Sequence, residues 1–355
     1  MKTTVLAVIG CGRIARNAHL PAFSRMKDIR VKWACNTIPE KAEKLKEDFP
    51  FIENTETDYH KVLSDKEVEA VYVLTPNYAH YTITMDALKA GKHVFCEKPI
   101  TVNYDLSCAM AKEAEARKKM LNNGVCNRYN RSIELLKQYA EEGRFGQLYH
   151  VYCSFRSFRS IPGLGGAFTT KSQSGGGVLI DWGVHFFDLI LYILGNAKLK
   201  NVTCDAYSET AKNMQDYKYY GMWAEDTKDI ENGTNDVEDF ITGYIRTDRA
   251  SISFNGAWAQ NVDRQEMYID FLGDKGGARL DYGGKFTFWD AKTLERIEPD
   301  YEITDMYQNE SVGFIRSIRT MEKDRNNIEN VLQTAKLLDV LYQSSREHKE
   351  ILVES

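Results

Sequence analysis

Three residues of this chain have the types and spacing needed to move a proton on and off an alcohol. Lys98 lies next to the end of the segment Gly91-Lys92-His93-Val94-Phe95-Cys96-Glu97-Lys98-Pro99, and Asp181 and His185 lie in the run 175–188, which opens Gly175-Gly176-Gly177. A neutral imidazole near pH 7 can accept a hydroxyl proton, and a carboxylate can orient that imidazole and stabilise its protonated form. A fixed ammonium can hydrogen-bond the same oxygen and stabilise developing alkoxide charge. Pro99 biases Lys98 towards an extended conformation, which aims the ammonium. If the 175–188 run is helical, Asp181 and His185 share one face. Ile180, Val184, Phe186, Phe187 and Leu189 around them predict partial desolvation. Each residue also has a plain alternative: a packed core histidine, a solvated lysine, or half of a metal site. Third and fourth ligands at metal-like spacing are missing, so no metal is expected.

Oxidising a secondary alcohol also requires a hydride acceptor, and the chain start is built for one. The apolar run Val5–Ile9 reads as a buried strand, followed at once by Gly10, Gly12 and Ala15 in the G-x-G-x-x-G/A pattern. Gly10 permits the tight turn, Gly12 lets the backbone approach a pyrophosphate, and Ala15 lets the helix pack close. Arg13 and Ile14 open that helix, whose free N–H groups and partial positive charge suit phosphates. Strands at Val31–Cys35, 69–74 and 92–96 alternate with helices at 39–49, 81–90 and 104–120, and 125–127 reads as one more strand. This alternation predicts a doubly wound parallel sheet, with ligands beyond the carboxyl ends of its strands. Thr75-Pro76-Asn77 with His80, and Glu97-Lys98-Pro99, sit at such ends. Asn77 reads equally as a helix cap, and Glu97 as support for the cofactor or the local fold. The second strand ends Cys35-Asn36-Thr37, without the acid that usually binds the ribose 2′-OH. Asn36 does not repel a 2′-phosphate and Lys41 could reach one, so NAD and NADP both stay open.

From about residue 150 the texture changes to strands without intervening long helices: 151–158, 200–206, 237–246, 250–255, 265–272 and 285–289. The prediction is an α+β domain with a mostly antiparallel open sheet, one face of it a subunit interface. Residues 209–236 read as a surface loop or insertion. The expected division is a dinucleotide-binding domain at 1–128, a substrate-binding and oligomerisation domain at 129–325, and a C-terminal helix within 326–355 packing back on the first domain. Candidates for the substrate are Lys98, Arg128, Tyr129, Arg156, Arg159, Asp181, Trp182 and His185. Forked arginine hydrogen bonds suit a polyol, a uronate or a sugar phosphate, and an indole can stack on a pyranose. Pointing outward, Arg156 and Arg159 would be surface or interface charges.

The 355 residues carry 43% hydrophobic and 27% charged side chains and a net charge of −5, the profile of a soluble globular protein of two domains. Mild acidity argues against nucleic acid or a membrane surface as the main partner. No apolar run of about 20 residues stands out as a spanning helix, and the first strand begins too early for a signal peptide. Seven cysteines with no C-x-x-C pair suit free thiols in a reducing, cytoplasmic compartment. Cys11, inside the phosphate turn, reads as apolar filler or as a reactive thiol.

The glycine turn, Thr75-Pro76-Asn77-x-x-His80, Glu97-Lys98-Pro99 and the 175–185 segment, in that order, resemble the Gfo/Idh/MocA oxidoreductases, the glucose–fructose oxidoreductase and inositol dehydrogenase group. The resemblance covers essentially the whole chain. It implies that Lys98, Asp181 and His185 line the substrate, with His185 as acid/base, and that the Thr75–His80 turn lies near the nicotinamide ribose. It also implies a homodimer or homotetramer. The activity expected is NAD(P)-dependent hydride transfer at a secondary ring hydroxyl of a sugar, glycoside or cyclitol. Alternatives are glycosidic cleavage by transient oxidation and elimination, and a non-catalytic dinucleotide sensor.

Overall fold

A computed structural model describes residues 3–221, 224 and 228–353. The chain forms two compact units, Met1–Asn130 with Thr304–Leu332, and Arg131–Ile303 with Gln333–Ser355.

The first unit is built on six parallel strands, β1 (Thr4–Ile9), β2 (Ile29–Cys35), β3 (Asn54–Glu56), β4 (Ala70–Val73), β5 (His93–Glu97) and β6 (Leu121–Gly124). Their order, β3-β2-β1-β4-β5-β6, reverses between β1 and β4, the switch point where doubly wound sheets bind ligands. β1 and β4 are almost wholly buried, as strands covered on both faces must be. The helix Asn77–Lys89 begins earlier than 81, directly after Pro76, so Asn77 is its first residue and not its cap. Beyond it, the 125–127 segment turns instead of extending: the strand is β6, and a 3₁₀ turn, Cys126–Tyr129, follows it. β6 reads Leu-Asn-Asn-Gly and has no strand pattern. Its buried asparagines find remote partners, Asn123 Nδ2 donating to the Cys96 carbonyl (2.9 Å) and Asn122 Nδ2 to Asp324 (3.4 Å).

The domain boundaries differ from expectation. The helix Met306–Thr320, capped by Asp305 through the amides of Tyr307 and Gln308, places Phe314, Ile315 and Ile318 in the core of the first unit. The helix Ile328–Glu347 does the reverse from residue 333 onward. Its Leu337, Leu338 and Leu341 are buried in the core of the second unit.

The second unit holds a nine-stranded sheet: β7 (Leu148–Arg156), β8 (Leu199–Tyr207), β9 (Phe240–Thr247), β10 (Ser251–Ala257), β11 (Glu266–Gly273), β12 (Gly276–Asp281), β13 (Phe286–Asp290), β14 (Arg296–Ile297) and β15 (Ile351–Leu352). The order is β14-β13-β12-β11-β7-β10-β9-β8-β15, antiparallel except for β7 beside β10. One face alternates Val151, Cys153, Phe155, Ile252, Phe254, Ile269 and Phe271 into a core shared with Phe186, Phe187 and Ile190 of the helix Val184–Ile193. Lys171–Ile193 is apolar enough by composition to cross a membrane, but 78% of its most apolar 18-residue window is buried, as for a core helix. The other face carries the register row Thr203, Tyr244, Ser253, Tyr152, Asp270 and Arg279. Among its described residues the 209–236 segment holds a short 3₁₀ turn, Met214–Asp216, and an isolated bridge from Thr234 to Gly165, and 222–223 and 225–227 lie outside them.

Candidate active site

The turn after β1 has the shape its sequence implies. Gly10 has φ +102°, and a Cβ there would stand 2.4 Å from the Leu74 carbonyl oxygen. Its amide donates to the Cys35 carbonyl (2.8 Å), tying the ends of β1 and β2 together. A Cβ on Gly12 would meet nothing within 4 Å, so open space lies over that backbone. Helix follows from residue 13, with fully buried Ala15 at the start of a π-helical turn, Ala15–His19. Arg13 is exposed and Ile14 half-buried against the core. Cys11 is filler: it is buried, its Sγ lies 3.5 Å from the Cys35 carbonyl, and burial pushes its thiol up to about 12. Open backbone at Gly12 and a helix start pointing into it fit a dinucleotide pyrophosphate.

At the end of β2, the Asn36 Oδ1 accepts from the Ile38 amide at 2.9 Å. Its amide NH₂ is therefore the group left for a ligand, a donor where NAD enzymes commonly place an acceptor. Thr37 and Lys41 are exposed beside it. At the end of β4, Thr75 Oγ1 is buried and has no hydrogen-bond partner among the described residues.

Two of the expected cofactor residues, His80 and Glu97, are hydrogen-bonded within the first unit. His80 is fully buried, and its Nδ1 and Nε2 face the carbonyls of Pro99 (2.8 Å) and Thr75 (2.9 Å). Burial lowers its pKa, while the two carbonyls and Glu97 act to raise it. His80 joins the turn after β4, which contains Pro76, to the turn after β5. Glu97 is likewise enclosed. Its Oε1 lies 2.7 Å from His19 Nε2, its Oε2 accepts from the Lys98 amide (3.0 Å), and a Cβ on Gly124 would come within 2.9 Å of its carboxyl carbon. Lys98 follows directly, half-buried, before the cis peptide to Pro99. His19 was not anticipated. It lies among Phe23, Tyr72, Phe95 and Tyr307, and no sequence signal beyond its place in the first helix points to it.

In the second unit, Asp181 and His185 do share one helical run. Asp181 lies in a π-helical turn, Leu179–Gly183, which passes directly into the helix Val184–Ile193. Wide π turns recur at functional sites because they shift a helix's register locally. Asp181 is 9% exposed and His185 is half-buried, with its ring 6.4 Å from that of Tyr282. Glu238, not anticipated, accepts from the Gly177 and Leu179 amides at the head of this run. The sequence reading placed Glu238 only within the predicted strand 237–246, and the strand itself begins at Phe240.

The substrate candidates divide. Arg128 is 1% exposed and donates to the carbonyls of Arg325 (2.7 Å) and Asn330 (3.0 Å), so its fork holds chain within the first unit. Tyr129 is also buried, its hydroxyl on Asp324. Arg156 pairs with Glu266, its register partner on β11, and belongs to the surface reading. Arg159 reaches Asn261 and lies over the Tyr217 ring. Trp182 packs partly against the core. Among the described residues no group of acids, histidines and cysteines could hold a metal ion.

The first unit is thus a nucleotide-binding Rossmann domain, and the second an α+β domain carrying an Asp–His helix under an open sheet. Residues 5–125 match the model of an oxidoreductase family with an NAD-binding Rossmann fold, and residues 133–279 match the GFO/IDH/MocA C-terminal domain. The chain belongs to the GFO/IDH/MocA oxidoreductase family. It is 27% identical to the D-glucoside 3-dehydrogenase of Escherichia coli (strain K12) over 326 residues, 91% of this chain and 87% of that one. It is 29% identical to the myo-inositol 2-dehydrogenase of Thermotoga maritima over 191 residues, 54% of each. Among solved structures, a levoglucosan dehydrogenase in complex with NADH and levoglucosan superposes with a TM-score of 0.86 across 100% of both chains. At 19% identity that likeness speaks for the fold alone.

Proposed function

We propose that this chain is an NAD(P)-dependent dehydrogenase acting on a secondary ring hydroxyl of a sugar, glycoside or cyclitol. The observation that carries the reading is the buried Asp181 on the same helical run as a half-buried His185, in a chain whose other unit opens the Gly12 backbone to a pyrophosphate. The relatives named for glucoside and inositol oxidation support the substrate class. Gly10, Gly12 and the helix behind them would hold the pyrophosphate. Asn36 and Thr37 would bind the adenosine ribose, and Thr75 and Asn77 would serve the nicotinamide side. A bound nicotinamide supplies the hydride acceptor. His185 takes the hydroxyl proton in oxidation and returns it in reduction. Lys98 stabilises the oxygen as its charge develops, and Asp181 orients the imidazole or binds a neighbouring hydroxyl. Seven unpaired cysteines, six of them buried, support a reducing compartment, the cytoplasm.

The test is a screen at 340 nm with NAD and NADP separately, against inositols, hexoses, glycosides, uronates and sugar phosphates. Reduction with one substrate class is expected. His185→Ala should lower turnover by about a hundredfold or more while dinucleotide affinity stays within about twofold. Equal loss of both would make His185 structural. An aglycone released without net reduction would replace the dehydrogenase reading with elimination.

A further inference from the structure

The helical run that carries Asp181 and His185 has no cap of its own. Val178 precedes the π turn, and its side chain makes no capping hydrogen bond. The amides at its head instead end on one residue far along the chain. Glu238 Oε1 accepts from Gly177 N (2.9 Å) and Leu179 N (3.0 Å), and the Glu238 backbone carbonyl accepts from Val178 N (3.1 Å). The same Oε1 accepts from the Tyr342 hydroxyl at 2.8 Å. The glycine run makes this approach possible. A Cβ on Gly177 would stand 1.9 Å from the Glu238 carbonyl oxygen, and one on Gly176 would stand 2.0 Å from the Tyr342 hydroxyl.

A local cap ends a helix without fixing its direction, because cap and helix move together. A cap supplied from the segment that leads into β9, two residues before the strand, ties the head of the run to distant chain, and Tyr342 ties it to the C-terminal helix. Three residues past His185, Asp188 is buried and accepts from Thr334 Oγ1 (3.0 Å), again from the C-terminal helix. The run is thus gripped on both sides of the π turn. That turn needs such support, since its wide ring is less stable than the α-helix it interrupts.

We infer that Glu238, fixed by Tyr342, is a positioning residue that sets the rotation and register at which Asp181 and His185 are presented. The inference rests on the reading above, in which that pair serves the reaction. Small displacements matter there, because misplacing a reacting group by about 1 Å can cost about a hundredfold in rate. Burial raises the Glu238 carboxyl above its ordinary value, while three donors on one oxygen oppose the shift. Of the two conservative changes, Glu238→Gln keeps an acceptor oxygen in place, whereas Tyr342→Phe removes one donor and little volume.

The experiment uses the full chain with Glu238→Ala, Glu238→Gln and Tyr342→Phe, at a temperature where each is folded. It reads amide exchange over 177–185, dinucleotide affinity by fluorescence, and kcat and KM with the sugar found in the screen. Glu238→Ala should speed exchange over 177–185 and lower kcat, each by about tenfold or more, with dinucleotide affinity within about twofold. Glu238→Gln should recover kcat to within about threefold of the parent, and Tyr342→Phe should fall between them. Unchanged kcat per folded molecule in Glu238→Ala overturns the inference, as does unchanged exchange over 177–185. If Glu238→Ala does not fold, Tyr342→Phe decides by the same criteria. A parent that oxidises no compound in the panel sinks the proposed function; the exchange measurement still decides whether Glu238 holds the run.

Discussion

At the scale of single residues, the dinucleotide turn separates two demands that one motif usually merges. Gly10 is required by the fold, since its φ is +102° and the Leu74 carbonyl fills the place of a Cβ. Gly12 makes no such demand on the fold, since beyond its own chain neighbours nothing lies within 4 Å of where its Cβ would be, and the proposed dinucleotide would use that space. Gly10→Ala should therefore cost about 2 kcal/mol or more of stability, seen as a lowered thermal midpoint. Gly12→Ala should leave the midpoint within about 2 °C and weaken dinucleotide binding by about tenfold, measured by fluorescence titration. Equal effects of the two substitutions on stability would refute the division. Asn36 admits a similar argument. With its Oδ1 held by the Ile38 amide, it presents a donor that tolerates either a 2′-hydroxyl or a 2′-phosphate. Asn36→Asp should lower NADPH affinity by about tenfold or more and spare NADH, because a carboxylate repels the phosphate and accepts from the hydroxyl.

At the scale of elements, the C-terminal helix decides where its residues belong. From residue 333 it contributes Leu337, Leu338 and Leu341 to the core under the nine-stranded sheet. Leu337→Ala should cost about 3 kcal/mol in denaturant unfolding of the second unit, with dinucleotide affinity unchanged because that site lies in the first. Unaltered unfolding would mean that this helix does not support that core. The turns after β4 and β5 show a comparable economy of means. His80 holds one to the other through two backbone carbonyls, and Glu97 holds Lys98 by its amide.

For the whole molecule, the open face of the large sheet is the feature left to explain. Tyr152 is 48% exposed there, and Tyr207 on β8 and Trp289 on β13, further out on either side of the same sheet, are also exposed. An exposed sheet face bearing large aromatic side chains is suited to burial against another copy. Light scattering should give a dimer or tetramer, and Tyr152→Asp together with Tyr244→Asp should shift it towards monomer; a monodisperse parent monomer would refute the assembly. Much was legible without coordinates. The glycine turn, the alternation of strands and helices, and the Asp181–His185 spacing are local patterns, in which chain periodicity and the stereochemistry of glycine carry the information. Other features had no local signal. β6 is a strand although it reads Leu-Asn-Asn-Gly, because Cys96 and Asp324 supply partners for its asparagines. Arg128 and His80 look like ligand-binding groups in the sequence, and remote carbonyls make them supports. Sequence by itself determined which elements form and which residues could do chemistry, since propensity, periodicity and turn geometry act over a few neighbouring residues. Tertiary structure alone decided which of those polar groups remain available to a ligand, because a donor or acceptor is committed only when distant chain arrives to bond it.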